Sequence, residues 1–349
     1  MADGFPYGSF YRTRRGGFIK SPAGMRGRPK YINPEWQIDH DFYGTGIYPQ
    51  FMLAIGSSIY MQMSNSSIIK RDSAGNYSTI KTGLSMAGST IPSLGNDNGQ
   101  LLIDSQHSGR DKVYKLDDDG TLTLEEMPDA EFTSQGYAGL VNNGTYLFWM
   151  HSHNWLTYSP TTMHYTNRFR RISQSNWDKE TFEIPPSDYN EVCASFLDQR
   201  FQNAIMARSR YYTGDDNILT QNQYVSGYAP NGQNMGIFNG ELYTCNGASP
   251  LNDDLWKLPS LDSAWVITDT GLGTYFQSCY GYGSYLYISA YAGSYEHIIY
   301  KWDGLTFVVD SLFITEGARA PYSGSHRFIT CGNYIYLCAF GRILKKQIA

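Results

Sequence analysis

No apolar run in this sequence approaches the roughly 18 residues that a membrane-spanning helix requires, so no helical span is expected. The opening stretch, "MADGFPYGSFYRTRRGGF", lacks an apolar h-region, and a conventional secretion signal is not expected either. Charged residues make up only 17% of the chain, and long stretches of Ala, Leu, Glu and Lys are missing, which argues against a helical bundle. The five cysteines (Cys193, Cys245, Cys279, Cys331 and Cys338) form an odd set in no zinc-like spacing. They are expected to be mostly buried free thiols made in a reducing cytoplasm. Enzyme signatures are missing too: there is no G-x-S-x-G elbow, P-loop, H-E-x-x-H, or G-x-G-x-x-G opening a helix.

Instead there are 29 tyrosines and 35 glycines in 349 residues, with abundant Asn, Ser and Thr. This composition predicts an all-β protein with many short turns. A Gly-containing turn entering an apolar strand recurs as "GSSIYMQM", "GQLLIDS", "GTYLFWM", "GELYTCN", "GSYLYISA" and "GNYIYLCA". The leading glycines are Gly56, Gly99, Gly144, Gly240, Gly283 and Gly332, spaced 43, 45, 96, 43 and 49 residues apart. The double interval contains "VCASFLDQRFQNAIMARSR" (192–210), read as a strand–turn–strand without the glycine, which brings the units to seven. A second segment follows, reading apolar–apolar–Lys–x–Asp, a tight turn and a further strand in "VYKLDDDGTLTL" and "IYKWDGLTFVV", more loosely in "FRRISQSNWDKETFEI" and most weakly in "ILTQNQYV".

Four short strands in about 45 residues is the period of a propeller blade. A seven-bladed β-propeller is therefore expected over residues 33–349, with six blades as the alternative, behind an extended arm of residues 1–32. The last unit reaches "ILKKQ", its third-strand slot, and has no fourth strand. The stretch "EWQID" near the beginning resembles the fourth-strand segments "AWVITD" and "FVVDS". Trp36 and Ile38 are thus expected beside Ile343 and Leu344, closing the ring and removing open strand edges.

The order of Gly, Tyr, an Asn/Asp loop, an aromatic and a later Trp in "NGELYTCNGASPLNDDLWKLPSLDSAWVI" resembles the kelch-like propellers. Propellers of that group occur in bacteriophage tail and virion structural proteins. The resemblance implies a non-enzymatic virion component, made in the host cytoplasm. Its partners would be other virion proteins and further copies of itself in a ring.

Loops between strands 2 and 3 should share one face, gathering Asn65, His107, His151, His153, Trp155, Tyr211, Tyr212, Asp253, Tyr295, His297 and Arg342 as a candidate binding face. The aromatic members suit a glycan or receptor, the alternative function. His151 and His153 share a strand face, with Asp253 or His107 as conceivable further metal ligands, but solvated loop histidines without metal are the expectation. The strand tyrosines Tyr60, Tyr243, Tyr287 and Tyr336 are expected to pack between blades. Asp129, Glu131, Asp188, Glu191 and Asp269 are the acids a polysaccharide hydrolase or lyase would draw on, the least favoured reading. No cofactor is expected. The "DDDGT" run is read as a hairpin turn.

Residues 1–30 carry a net charge of +6 against −11 for the remainder. Gly and Pro punctuate this arm too often for regular structure, and alone it is expected to be disordered. Its interleaved Phe5, Tyr7, Phe10, Tyr11 and Phe18, with Arg12, Arg14, Arg15, Lys20, Arg26 and Arg28, suit docking on a neighbouring subunit. Nucleic acid ranks second, because the acidic body would repel it.

Overall fold

The computed structural model describes residues 10–12, 18–20, 35–42, 45–84, 94–107, 110–126, 138–142, 146–153, 163–184, 204–207, 210–215, 218–222, 235–245, 254–260, 263, 266–292, 296–314, 326–339 and 341–348. Every regular element among them is a β-strand. Seven antiparallel sheets follow in order. Sheet 1 comprises Pro49–Ile55, Ser58–Met63, Ile68–Arg71 and Tyr77–Lys81. Sheet 2 comprises Leu94–Asp97, Gln100–His107, Arg110–Leu116 and Leu122–Glu126. Sheet 3 comprises Ala138–Asn142, Tyr146–His153, Met163–Arg171 and Asp178–Ile184. Sheet 4 has three described strands, Ala204–Ala207, Arg210–Asp215 and Ile218–Asn222. Sheet 5 comprises Met235–Phe238, Glu241–Cys245, Asp254–Leu258 and Val266–Asp269. Sheet 6 comprises Tyr275–Tyr282, Tyr285–Ala292, Glu296–Trp302 and Phe307–Ile314. Sheet 7 joins Arg327–Cys331, Tyr334–Ala339 and Arg342–Gln347 to the early strand Trp36–Asp41, with Lys346 opposite Trp36 and Leu344 opposite Ile38.

The repeated glycines do their work between strands 1 and 2. In the two-residue turns Asn98–Gly99 and Asn239–Gly240 both residues have positive φ, the backbone of a hairpin turn matched to sheet twist. Gly144 lies outside the described residues. Apolar layers fill the spaces between successive sheets. Leu101, Ile103 and Leu116 of sheet 2 meet Phe51, Tyr60 and Ile68 of sheet 1. Ile329, Tyr336 and Ile343 of sheet 7 meet Met52, Ile59 and Met61 of sheet 1. Trp36, Phe328 and Leu337 meet Tyr287 and Ile299 of sheet 6. Tyr60, Tyr243, Tyr287 and Tyr336 are all buried, as expected. So are Cys245, Cys279, Cys331 and Cys338, which are free thiols; Cys193 lies outside the described residues.

A polar device recurs where sheets meet. In the outermost strands of sheets 2, 6 and 7 a β-bulge inserts one extra residue, and it is an acid each time: Glu125, Asp310 and Asp39. A bulge re-aims its side chain, here toward the next sheet. Asp310 accepts Trp36 Nε1 at 2.6 Å and Lys346 Nζ at 2.8 Å from sheet 7, with its own sheet's Lys301 at 3.4 Å. Asp39 accepts Arg71 Nε and the Tyr77 hydroxyl, both at 2.5 Å, from sheet 1, with its own sheet's Lys345 at 2.6 Å. Glu125 takes Arg170 from sheet 3 at 3.3 Å and its own Lys115 at 2.9 Å. The incoming cations also lie over aromatic rings. Lys346 is 5.0 Å from the Tyr287 centroid and Arg71 is 4.9 Å from that of Tyr336; Arg170 covers Trp177 of its own sheet at 4.8 Å.

Burial alone would raise the Asp39 carboxyl, but bonds from Arg71, Lys345 and Tyr77 outweigh it and hold the group at about 2. Burial likewise pulls Lys346 down, and its bonds to Asp310 and Glu35 more than offset this, leaving it raised. Sheet 1 has the same bulge with Ile80 as the extra residue. There the neighbour supplies the acid: Asp118, in the turn of sheet 2, accepts the Tyr60 hydroxyl and pairs with Lys70.

Two expectations are corrected here. The arm contains a short antiparallel hairpin, Phe10–Arg12 against Phe18–Lys20, where disorder was expected. Aromatic and β-branched side chains cluster within these two triplets, which favours pairing locally despite the surrounding Gly and Pro. In sheet 4, "RYYTGD" is itself a strand with Tyr211 opposite Met206 and Tyr212 opposite Ile205, not a loop. The consecutive Tyr-Tyr-Thr continues the sheet, so the connection falls later than the Gly-Asp-Asp suggested.

Candidate functional site

Within each antiparallel sheet, strand 1 begins at the same end at which strand 2 turns into strand 3. Asn65 stands there in the sheet 1 turn, and its Oδ1 accepts the Ser67 hydroxyl at 2.6 Å and the Ser67 amide at 3.3 Å, so it braces the loop. His107 ends the second strand of sheet 2, opposite Arg110. His151 and His153 also continue a strand, with His153 opposite His164, a residue the sequence reading left out. Trp155, Asp253 and Tyr295 lie outside the described residues, as do Phe5, Tyr7, Arg14, Arg15, Arg26 and Arg28 of the arm. Asp129, Glu131, Asp188 and Glu191 are also outside them, whereas Asp269 closes a strand and is not in a connection.

His297 and Arg342 are not surface loop residues. Arg342 opens the third strand of its sheet, His297 is the second residue of the third strand of its own, and both are buried. Sequence spacing put them beside turns; the apolar residues that follow them, Ile298, Ile299, Ile343 and Leu344, pull the strand starts into the interior. What surrounds His297 is a polar cluster at the contact of sheets 6 and 7. The Ser289 hydroxyl lies 2.9 Å from His297 Nε2 and 2.6 Å from His326 Nδ1, and the rings stand edge to face at 5.3 Å. His326 immediately precedes the first strand of sheet 7 and was missed in the sequence because nothing near it repeats. Ser289 is fully buried, so it is shielded from any substrate in this arrangement.

Burial keeps both imidazoles neutral. It lowers His297 strongly, with the neighbouring His326 and Arg342 adding to the effect, and brings His326 from 6.5 to about 3. In the unfolded chain both histidines take up protons below about 6.5. Stability contributed by the pair is therefore complete above that pH and is lost as pH falls toward the folded values. His326 is expected to add about 1.4 kcal/mol of destabilisation per pH unit between 6.5 and 4, and His297 adds a loss of the same sign below 6.5. Urea unfolding at stepped pH measures this. A double variant, His297→Asn with His326→Asn, should flatten the slope in that window whatever its stability at pH 7. Asp39 adds its own loss only further down, between 3.8 and about 2.

Against known proteins, no family model matches the chain, and no curated protein matches it. Solved structures do. The RRP9 WD40 repeats superpose with a TM-score of 0.54 at 8% identity, covering 92% of this chain and 100% of that one. The structure of U3-55K gives 0.54 at 9% identity, covering 88% and 98%. The β-propeller domain of the Trilobed protease from Pyrococcus furiosus gives 0.48 at 10% identity over 87% and 95%. The fold is a β-propeller. In this propeller no group of three or more His, Cys, Asp or Glu is placed to hold a metal among the described residues. In the Asp117–Thr121 turn Asp119 Oδ1 accepts the Thr121 amide at 2.8 Å, and Asp117 exchanges backbone bonds with Thr121 and Gly120, while Asp118 reaches out to Tyr60 and Lys70.

Proposed function

We propose that the seven sheets are seven blades of one ring sealed by Trp36–Asp41, and that the ring is a non-enzymatic interaction scaffold in a bacteriophage virion. Ring closure is supported by the seam between sheets 7 and 1, which uses the same bulged acid, incoming cation and hydroxyl or indole donor as the seam between sheets 6 and 7. A scaffold role is supported by one observation above the others. A basic arm holding paired aromatic strands stands apart in sequence from an acidic body, and such a segment gains most from docking on another surface. The kelch-like order of residues 239–267 supports the virion setting.

In this reading the arm docks on neighbouring subunits while the propeller packs or presents a face to other virion proteins. Deleting residues 1–30 is expected to preserve the β-sheet circular dichroism spectrum and abolish incorporation into the particle, scored by co-purification with neighbouring virion proteins. Incorporation at the level of the intact chain would refute the arm's role.

A further inference from the structure

The propeller's outer edges are not equally guarded. Six sheets have four described strands, and in sheets 1, 2, 6 and 7 a bulge interrupts the pairing of the outermost strand. Sheet 3 lacks the bulge but carries Asp178, Lys179, Glu180 and Glu183 along its outer strand. Bulges and charges are the usual means of stopping one sheet edge from pairing with another. Sheet 5 has neither. Its outer strand Val266–Asp269 pairs without a register shift, carries no charge before Asp269, and exposes three consecutive residues, Val266, Ile267 and Thr268. Val266 is 47% and Ile267 52% exposed. Regular backbone, β-branched side chains and no guard make a template for an added strand.

We infer that this edge is the docking site for the basic N-terminal hairpin, Phe10–Lys20, of a second copy of the chain. The proposal rests on the scaffold reading above and gives the arm one address. Charge selects the occupant. The segment 253–269 holds Asp253, Asp254, Asp262 and Asp269 against the single cation Lys257, which is paired with Glu241 at 2.9 Å. Asp254 and Asp269 stand opposite each other in register at one end of the edge. The arm's net charge is +6, and its two strands end in Arg12 and Lys20. Strands of three residues in the hairpin match an edge of four, and attraction between the opposite charges aligns them.

The test is complementation between two full-length variants, followed by sedimentation velocity at low and high salt. Ile267→Lys blocks the edge and keeps the arm. Phe18→Asp with Ile19→Asp breaks the arm and keeps the edge. The unaltered chain should self-associate with salt sensitivity, and each variant alone should do so at least tenfold more weakly. Mixing the two should restore a one-to-one heteromer, with slowed amide exchange at Val266–Thr268. Three results would overturn the docking site: no self-association of the unaltered chain, no effect of Ile267→Lys, or an edge-to-edge dimer that survives the broken arm. If Ile267→Lys is silent while the broken arm still abolishes association, the arm's docking role stands and only its address is wrong.

Discussion

Asp310→Ala is expected to cost about 3–5 kcal/mol of folding stability, measured by urea unfolding at pH 7, because it strands buried charge. Asp310 is 1% exposed, and its removal leaves Lys346 without one carboxylate and the Trp36 indole without its acceptor. The Lys346 ammonium retains Glu35 at 2.6 Å, so the loss falls short of a fully isolated ion. Asp39→Ala removes the equivalent residue at the seam between sheets 7 and 1, where it accepts Arg71 and Tyr77. A closed ring requires both substitutions to have similar cost, since each unpins one sheet from the next through the same set of contacts. An Asp39→Ala cost below about 1 kcal/mol, the range of an exposed pair, would mean that the two seams are not equivalent and that the ring is open there.

Gly281→Ala is expected to be comparably costly, above about 3 kcal/mol, and to yield little soluble protein. A Cβ at Gly281 would sit 1.6 Å from the Ile237 carbonyl oxygen and 2.5 Å from its carbon, so the first strand of sheet 5 would have to move bodily. Gly236 faces back across the same contact, its added Cβ meeting Tyr280 Cα at 2.8 Å. The innermost strands of sheets 5 and 6 therefore touch backbone to backbone. Gly283 is the control: its φ is +59° but nothing lies within 4 Å, so alanine there should cost only about 1 kcal/mol. Equal effects at the two positions would contradict the close approach.

Much of this architecture is legible in the residues, for a definite reason. A turn glycine recurring at near-regular intervals, followed by an apolar strand and in several units by Lys–x–Asp, marks out the same supersecondary unit. The likeness between "EWQID" and "FVVDS" is legible because Asp39 and Asp310 occupy one bulge position and answer to one environment. Features set by contacts distant in sequence are less visible. Gly236 and Gly281 look like ordinary strand residues until two sheets are brought together. His326 has no counterpart in other units, and His297 looks like a loop residue because burial depends on the neighbouring sheet. Sheet 4 is obscured by the loss of its turn glycine, and its Tyr211 and Tyr212 were assigned one step too late along the chain. Nor can periodicity reveal the bulges, since an extra residue in a strand resembles a shift in phase.

Trp36–Asp41 leaves the ribosome well before the strand it hydrogen-bonds, Arg342–Gln347; Asp41 and Arg342 are 301 positions apart. Loop-closure entropy at that separation makes the pairing a late event, after the intervening sheets have stacked. Until then a tryptophan that ends 1% exposed stays accessible on the nascent chain, and the final sheet waits with an open side. Folding thus passes through a vulnerable interval, in which a chaperone or a second nascent chain can reach that side before the molecule's own earlier strand does.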